Sequence, residues 1–365
     1  MARNKFDVDE TLETPFNIKH LLRAGVYIGR HKKKMILSLL FSAISAACSL
    51  LGPMLIQRAI DVSVPQKDYT ELVVLAVGMT LVVSASAGTD ISVGAVMAVA
   101  AAVCTRVLAG GEVSVNEYAN PYVLAVLAAL AAAVVCGGFN GLLVAKLKIQ
   151  PMVATLILFT AGRGISQLVT NGQITYIRVD GYKLLGNNIP GIPIPTPIFV
   201  AVIVVVLTYI LLKKTAMGMY IQSVGINERA SRLVGLKSVK IIWMAYAFCG
   251  LCAGIAGLVA SSRIYSADAN NIGLNMELDA IAAVALGGNS LGGGRFSLLG
   301  SVIGAYTIQA LTTTLYAMSV PADQIPVYKA IVVILIVAVQ SEELKKFRKR
   351  LASRHSSKNV EGGVA

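Results

Sequence analysis

The residues able to do chemistry in this chain are few, and most are set in apolar surroundings. Asp90, Arg106, Arg163, Glu277 and Asp279 are the ionisable side chains inside or beside long apolar runs. A charge at mid-bilayer costs at least ~2.5–3.5 kcal/mol on insertion scales, so each needs a partner or a wet cavity. Asp90 precedes an apolar run in "TDIS", where a carboxylate caps a helix well; that is the simpler reading beside a substrate-facing carboxylate. Arg163 stands between Gly162 and Gly164. The gap lets its side chain lie along a neighbouring backbone, reach a carbonyl or snorkel outward. Asn140, between Gly138 and Gly141, can line a path or bond across helices.

Reactive constellations are missing. No G-x-x-x-x-G-K-[ST] phosphate loop and no H-E-x-x-H occurs, and His20, His31 and His355 all lie in the polar ends. The five cysteines, Cys48, Cys104, Cys136, Cys249 and Cys252, lie in apolar runs. "CGLC" at 249–252 has redox or metal spacing, but inside an apolar helix its cysteines read as small packing residues. No metal and no cofactor is expected. Membrane carboxylates are too few for a proton relay. If the chain moves something uphill, a separate subunit supplies the energy.

The elements that must position these residues are membrane spans. The chain is 56% hydrophobic and 14% charged, with mean hydropathy +0.71, against ~25% charged in soluble domains. Its apolar runs are continuous rather than alternating, so they read as helices. Expected spans are 35–56, 72–85, 91–108, 122–145, 151–169, 197–212, 241–260, 296–316 and 327–339. A weaker helix ends in the glycine loop of "ELDAIAAVALGGNSLGGGR". The expected fold is all-α and polytopic, with about ten spans. With both ends on one side, 24 of the 32 Lys and Arg fall on that side, which makes it cytoplasmic. The net charge of +13 is thus topology rather than a nucleic-acid surface, since no aromatic and basic platform accompanies it. The polar first ~30 residues carry no cleavable signal pattern. The organisation reads as a basic segment with a surface helix (1–34), a transmembrane domain (35–341) with a cytoplasmic loop at 213–240, and a basic tail (342–365). Residues 170–195 form the largest outside loop.

Two places break the helical pattern. "SAGTDISVGA" (86–95) and "LGGNSLGGGR" (286–295) both put Gly and small polar residues where helix should be, and they share a pattern over 87–94 and 287–294. Paired glycine breaks in opposite halves point to an inverted repeat around a central path. The competing reading is close helix packing through small-xxx-small pairs such as Gly137/Gly141, Gly250/Gly254 and Gly300/Gly304.

One charged stretch, "VGINERASRLVGLKS" (224–238), sits in the cytoplasmic loop. Asn227 starts a short helix, Glu228 and Arg232 suit its dipole, and Gly235 ends it. Ala230, Leu233 and Val234 give it a small apolar face suited to a partner's groove; an ordinary solvated connector is the simpler reading of these residues alone.

This stretch resembles the coupling loop of ATP-binding cassette importer permeases, of form G-x-N-x-x-A-A-x-x-x-G. Gly225, Asn227, Ala230 and Gly235 match, with Ser231 in place of the second Ala. "GTDISVGAVMAVAAAV" and "ELDAIAAVALGGNSLGGGRFSLLGSVIGA" resemble the two signatures of the ribose/xylose/galactose branch. "QPMVATLILFTAGRGISQLVTNGQI" and "SSRIYSADANNIGLNMELDAIAAV" are most similar to galactofuranose-type permeases. The resemblance spans 75–341. It implies a permease subunit that is not itself an enzyme and pairs with a second permease. A separate ATPase drives it, and an extracytoplasmic binding protein delivers a monosaccharide. It implies that Gly225, Asn227, Glu228, Ala230, Arg232 and Gly235 couple to the ATPase, and that Asp90, Ser92, Asn140, Asn289 and Ser290 lie near the pathway. Residues 21–70 instead resemble the elbow helix and first span of ATP-binding cassette exporters. A secondary transporter and a non-functional exporter/importer fusion are the alternatives.

Overall fold

The computed structural model describes residues 69–187 and 194–340. The chain divides into two units, Met1–Ile60 and Asp61–Ala365, and every described residue belongs to the second. The expected surface helix, the first span at 35–56 and the basic tail lie outside the described residues.

The described residues are mainly helical: α1 Tyr69–Ser86, α2 Val93–Ala109, α3 Tyr122–Ala145, α4 Pro151–Val169, α5 Asp180–Gly186, α6 Thr196–Lys214, α7 Met217–Ile226, α8 Glu228–Leu233, α9 Ser238–Ile264, α10 Met276–Leu286, α11 Leu298–Ala317 and α12 Ile325–Gln340. Five of them, α3, α4, α6, α9 and α11, are long and apolar enough to cross a membrane. α1, α2 and α12 are shorter apolar helices. α10 has 11 residues; at ~1.5 Å per residue it reaches only part-way through a ~30 Å hydrocarbon core. Outer and inner helices divide clearly. Residues 72–83 of α1 are at most 2% exposed, whereas Val123, Leu127 and Val135 of α3 are 67%, 60% and 70% exposed. α3, α4 and α6 therefore turn apolar faces outward, as suits lipid-facing helices. α9 runs through the middle and packs on α1, α2 and α3. Its approach to α3 is close: a Cβ on Gly250 would come 2.5 Å from Ala133 O, and one on Gly137 would come 2.4 Å from Tyr246 O. Small residues let helices meet at backbone contact where lipid offers no hydrophobic drive between them. The Cys249 and Cys252 thiols are free and buried, and both residues pack against Gly78 of α1.

Three two- or three-residue strands tie the loops at one end: β1 Ser114–Val115, β2 Thr175–Ile177 and β3 Ser266–Ala267. β2 is central, parallel to β1 and antiparallel to β3. The long loop expected at 170–195 thus carries β2 and α5, and Tyr182 of α5 bonds Ser261 of α9 at 2.7 Å.

The two glycine breaks meet in the fold, Gly293 of the second packing on Ala87 of the first. Gly294 N donates to Ser84 O at 3.0 Å, so the loop after α10 meets the C-terminal end of α1. At the other end, Glu71 at the start of α1 and Met276 at the start of α10 line one cavity. α1 and α10 therefore run in the same direction. The first break does not stay at one end: Ala87 packs on Gly293, whereas a Cβ on Gly94, at the start of α2, would come 2.2 Å from Gly273 O, just before α10 begins.

Candidate functional site

The 213–240 loop folds into two helices. Asn227 lies between α7 and α8, and its Oδ1 accepts from Ala230 N at 2.9 Å, a side-chain cap of the kind its sequence position requires. Glu228 follows and collects three donors. Arg232 Nη2 reaches its Oε1 at 2.6 Å, Ser238 Oγ at 3.2 Å, and Lys148 from the α3–α4 loop makes a further ion pair. Arg232 Nε also donates to Ser238 Oγ at 2.7 Å. Partial burial raises the Glu228 carboxyl, but the hydrogen bonds and charges of Lys148 and Arg232 outweigh it and hold it below the usual carboxylate range. A depressed carboxylate keeps its contribution above the ordinary pKa and loses it as pH falls through the lowered value. The cluster is thus intact at neutral pH. Gly235 has φ +88°, in the left-handed region that ends helices. Ala230 is exposed, and Leu233 and Val234 are 89% and 77% exposed. α8 therefore presents an apolar face to nothing in the described chain.

Behind this loop three segments meet. A Cβ on Gly225 would lie 1.7 Å from Ser84 O and 2.7 Å from Gly294 N. Ser84 Oγ also donates to Gly294 O. Gly293, at φ +84°, packs on Ala87 and on Gly225 O. The end of α1, the end of α7 and the glycine loop after α10 thus share one backbone junction. Asn289 fastens the loop to α11. Its Nδ2 donates to Ser301 Oγ at 2.7 Å, and its Oδ1 accepts from Ser297 N at 2.5 Å. Thr80 Oγ1 of α1 reaches the same Ser301 hydroxyl at 2.6 Å. Ser290 is exposed and accepts from Gly292 N at 3.2 Å.

A second polar group is separate from the junction. Asp90 is 2% exposed, and its Oδ1 accepts from Ser92 N at 2.9 Å and Ser92 Oγ at 2.6 Å. Asn140 Nδ2 donates to Ser92 Oγ at 2.8 Å. This buried chain links the turn before α2 to α3. Asn140 Oδ1 is buried without a hydrogen-bond partner. Of the five residues expected near a pathway, Asp90, Ser92 and Asn140 come together, while Asn289 and Ser290 lie in the glycine loop. Since the Asp90 contacts use an acceptor that Asn also has, Asp90→Asn is expected to keep near-normal abundance and transport. Asp90→Leu leaves the Ser92 donors buried and unpaired, at ~1–3 kcal/mol, and should lower membrane abundance; equal abundance of the two variants would contradict this.

At the other end lies a cavity of about 520 Å³. Ion pairs Glu71–Arg263 (3.3 Å) and Asp279–Lys329 (2.6 Å) stand on its wall with Asn271 and Gln309. Of its lining residues only Asp279 stood out in the sequence, because the wall is assembled from segments far apart in the chain. Arg163 Nη1 donates to Ile272 O at 2.6 Å and Ala269 O at 3.0 Å, holding the segment between β3 and α10. Arg106 turns outward to Gly111 O.

Comparison with known proteins agrees with this architecture. The chain is 45% identical over 280 residues to the galactofuranose transporter permease protein of Escherichia coli K12, covering 77% of this chain and 79% of that one. It is 39% identical over 306 residues to a fructose import permease protein of Bifidobacterium longum, covering 82% of each. It is 36% identical over 274 residues to the ribose import permease protein of Escherichia coli K12, covering 74% and 82%. No solved structure matches it significantly. Residues 69–340 match the family described as the permease component of the branched-chain amino acid transport system, and the chain belongs to that family of polytopic membrane permeases.

Proposed function

We propose that the chain is the membrane-spanning permease subunit of an ATP-binding cassette importer that brings a monosaccharide into a bacterial cell. The family description speaks of amino acids, but the relatives at 45%, 39% and 36% identity are named for galactofuranose, fructose and ribose, which favours a sugar. The observation that carries the mechanism is the junction of Gly225, Ser84 and Gly294. α8, with its exposed Leu233 and Val234, is the docking element for a separate ATPase subunit. Movement of α8 and α7 passes through Gly225 to the end of α1 and to the glycine loop together, because backbone packed at contact distance transmits rather than absorbs displacement. Gly225, Asn227, Glu228, Ala230, Arg232 and Gly235 serve this coupling.

The basic loops put the α8 end in the cytoplasm, with both termini on the same side and about ten spans in the full chain. The 520 Å³ cavity then opens to the outside. Its carboxylates, amides and cations suit sugar hydroxyls handed over by an extracytoplasmic binding protein. Asn140 Oδ1, buried and unpaired, is available to a passing hydroxyl, which supports a place for Asp90, Ser92 and Asn140 beside the route. A second permease subunit completes the path. The chain itself hydrolyses nothing.

The test is co-purification in detergent with the ATPase subunit, comparing the wild type with Leu233→Asp/Val234→Asp. Both side chains are exposed, so the variant should fold, and it should lose the ATPase. Retention of the ATPase would move the docking site elsewhere. Uptake that needs no ATPase and follows a proton or sodium gradient would favour a secondary transporter instead.

A further inference from the structure

A groove of about 350 Å³ lies where the end of α3 meets the start of α9. Gly141, Leu142, Ala145, Val239 and Trp243 line it together with the aliphatic stems of Lys146, Lys237 and Lys240, so that its inner surface is wholly apolar. Trp243 is the only tryptophan in the chain. Its indole lies in a notch on α3, with Cζ2 3.3 Å from where a Gly138 Cβ would be and Cδ1 3.1 Å from where a Gly141 Cβ would be. The ring is therefore held in place yet stays 40% exposed. The three lysines are exposed and make no ion pair or side-chain hydrogen bond among the described residues. The carboxylate nearest in sequence, Glu228, is taken by Lys148 and Arg232. α9 is 27 residues long and begins beside these lysines without a side-chain cap, so its positive end adds to theirs.

The apolar wall does not stop at the groove. It continues along the outward face of α3 through Leu142, Phe139 and Val135, which are 43%, 47% and 70% exposed. Three exposed lysines beside an apolar groove, at the foot of an apolar stripe on a membrane-length helix, match one kind of molecule. It needs a negative headgroup and a long hydrocarbon chain. A tryptophan at that level is typical of the membrane–water boundary, and basic pockets between helices on the cytoplasmic side suit anionic headgroups.

We propose that this groove binds an anionic phospholipid, its phosphate on Lys146, Lys237 and Lys240 and an acyl chain against Trp243, Phe139 and Val135. The site adjoins the loop that carries Lys148 and the Glu228 cluster, so an occupied groove braces the foot of α3 and α9 beside that cluster. The inference rests on the membrane placement of α3 and α9 and not on the identity of the transported solute.

Because Trp243 is the sole tryptophan, its fluorescence reports the groove directly. The full chain in neutral detergent would be titrated with phosphatidylglycerol brominated in its acyl chains, with brominated phosphatidylcholine, and with inorganic phosphate. Saturable quenching by phosphatidylglycerol is expected at a mole fraction at least about tenfold below that for phosphatidylcholine. Lys146→Gln/Lys237→Gln/Lys240→Gln should weaken it about 100-fold, at about fivefold per lysine near an anionic surface. All three side chains are exposed, so this variant should fold. Equal quenching by both lipids, or an unchanged triple variant, would overturn the proposal. Inorganic phosphate that competes the lipid away at millimolar concentration would make this a small-anion site and overturn the acyl contact. Loss of quenching when the ATPase is bound would assign the face to that protein instead.

Discussion

Gly225→Ala is expected to cut sugar uptake by about tenfold or more, while Gly164→Ala leaves it unchanged. The added Cβ on Gly225 would fall 1.7 Å from Ser84 O and 2.7 Å from Gly294 N. Both are backbone atoms, so no side chain can swing aside and one of the three segments must move. Overpacking of this kind costs ~1–3 kcal/mol, and each ~1.4 kcal/mol is a factor of ten. The displaced contact also lies between the proposed ATPase dock and both helix breaks, so the loss should exceed the fall in membrane abundance. Gly164 has nothing within 4 Å of its virtual Cβ, and Ala in a helix interior gains ~0.5–1 kcal/mol over Gly. Uptake of labelled sugar, normalised to the amount of chain in the membrane, reads the difference. Normal uptake by Gly225→Ala would mean that coupling does not pass through this junction.

Glu228→Lys is expected to separate ATP hydrolysis from uptake, leaving the first and reducing the second by about tenfold. The stability effect should be small. Exposed ion pairs contribute ~0–1 kcal/mol, and the Glu228 side chain is 33% exposed. The orientation effect should be large, because one carboxylate organises Lys148, Arg232 and Ser238. Reversal replaces that acceptor with a third cation and pushes α8 away from the α3–α4 loop. Restoring one opposite charge with Lys148→Glu should recover part of the uptake. The informative measurement is the ratio of sugar transported to ATP consumed in proteoliposomes. A wild-type ratio in Glu228→Lys would remove the cluster from the mechanism.

What could be read along the chain was what depends on neighbours. α3 and α4 begin and end where their apolar runs do, at Tyr122–Ala145 and Pro151–Val169, because hydropathy and the prolines at each start, Pro121 just ahead of α3 and Pro151 opening α4, act locally. The same holds for Asn227 capping α8 and for Gly235 leaving it with positive φ. The family motifs could be recognised for that reason too, since each is a short run of residues.

Tertiary structure alone decided what those motifs touch. Ser84, Gly225 and Gly294 are separated by well over a hundred residues at the extremes, and only helix packing brings them to one junction. The likeness of 87–94 to 287–294 suggested a paired role, but only the fold shows that Gly293 packs on Ala87 while Gly94 packs on Gly273 and Glu277. A glycine pattern encodes where a helix can turn, but what that turn touches comes from the packing of the spans between. α7 and the three short strands were missed likewise. Strands of two or three residues have no periodicity to read, and they form where backbone groups meet across the fold, as Ile177 N does Tyr265 O at 2.8 Å and Tyr176 N does Val113 O at 2.8 Å. The sequence by itself determined which segments are helices that bury their backbone in lipid, because that requirement falls on each segment separately. Which polar and glycine residues meet was left to the tertiary structure, because those contacts exist only once several helices have packed together.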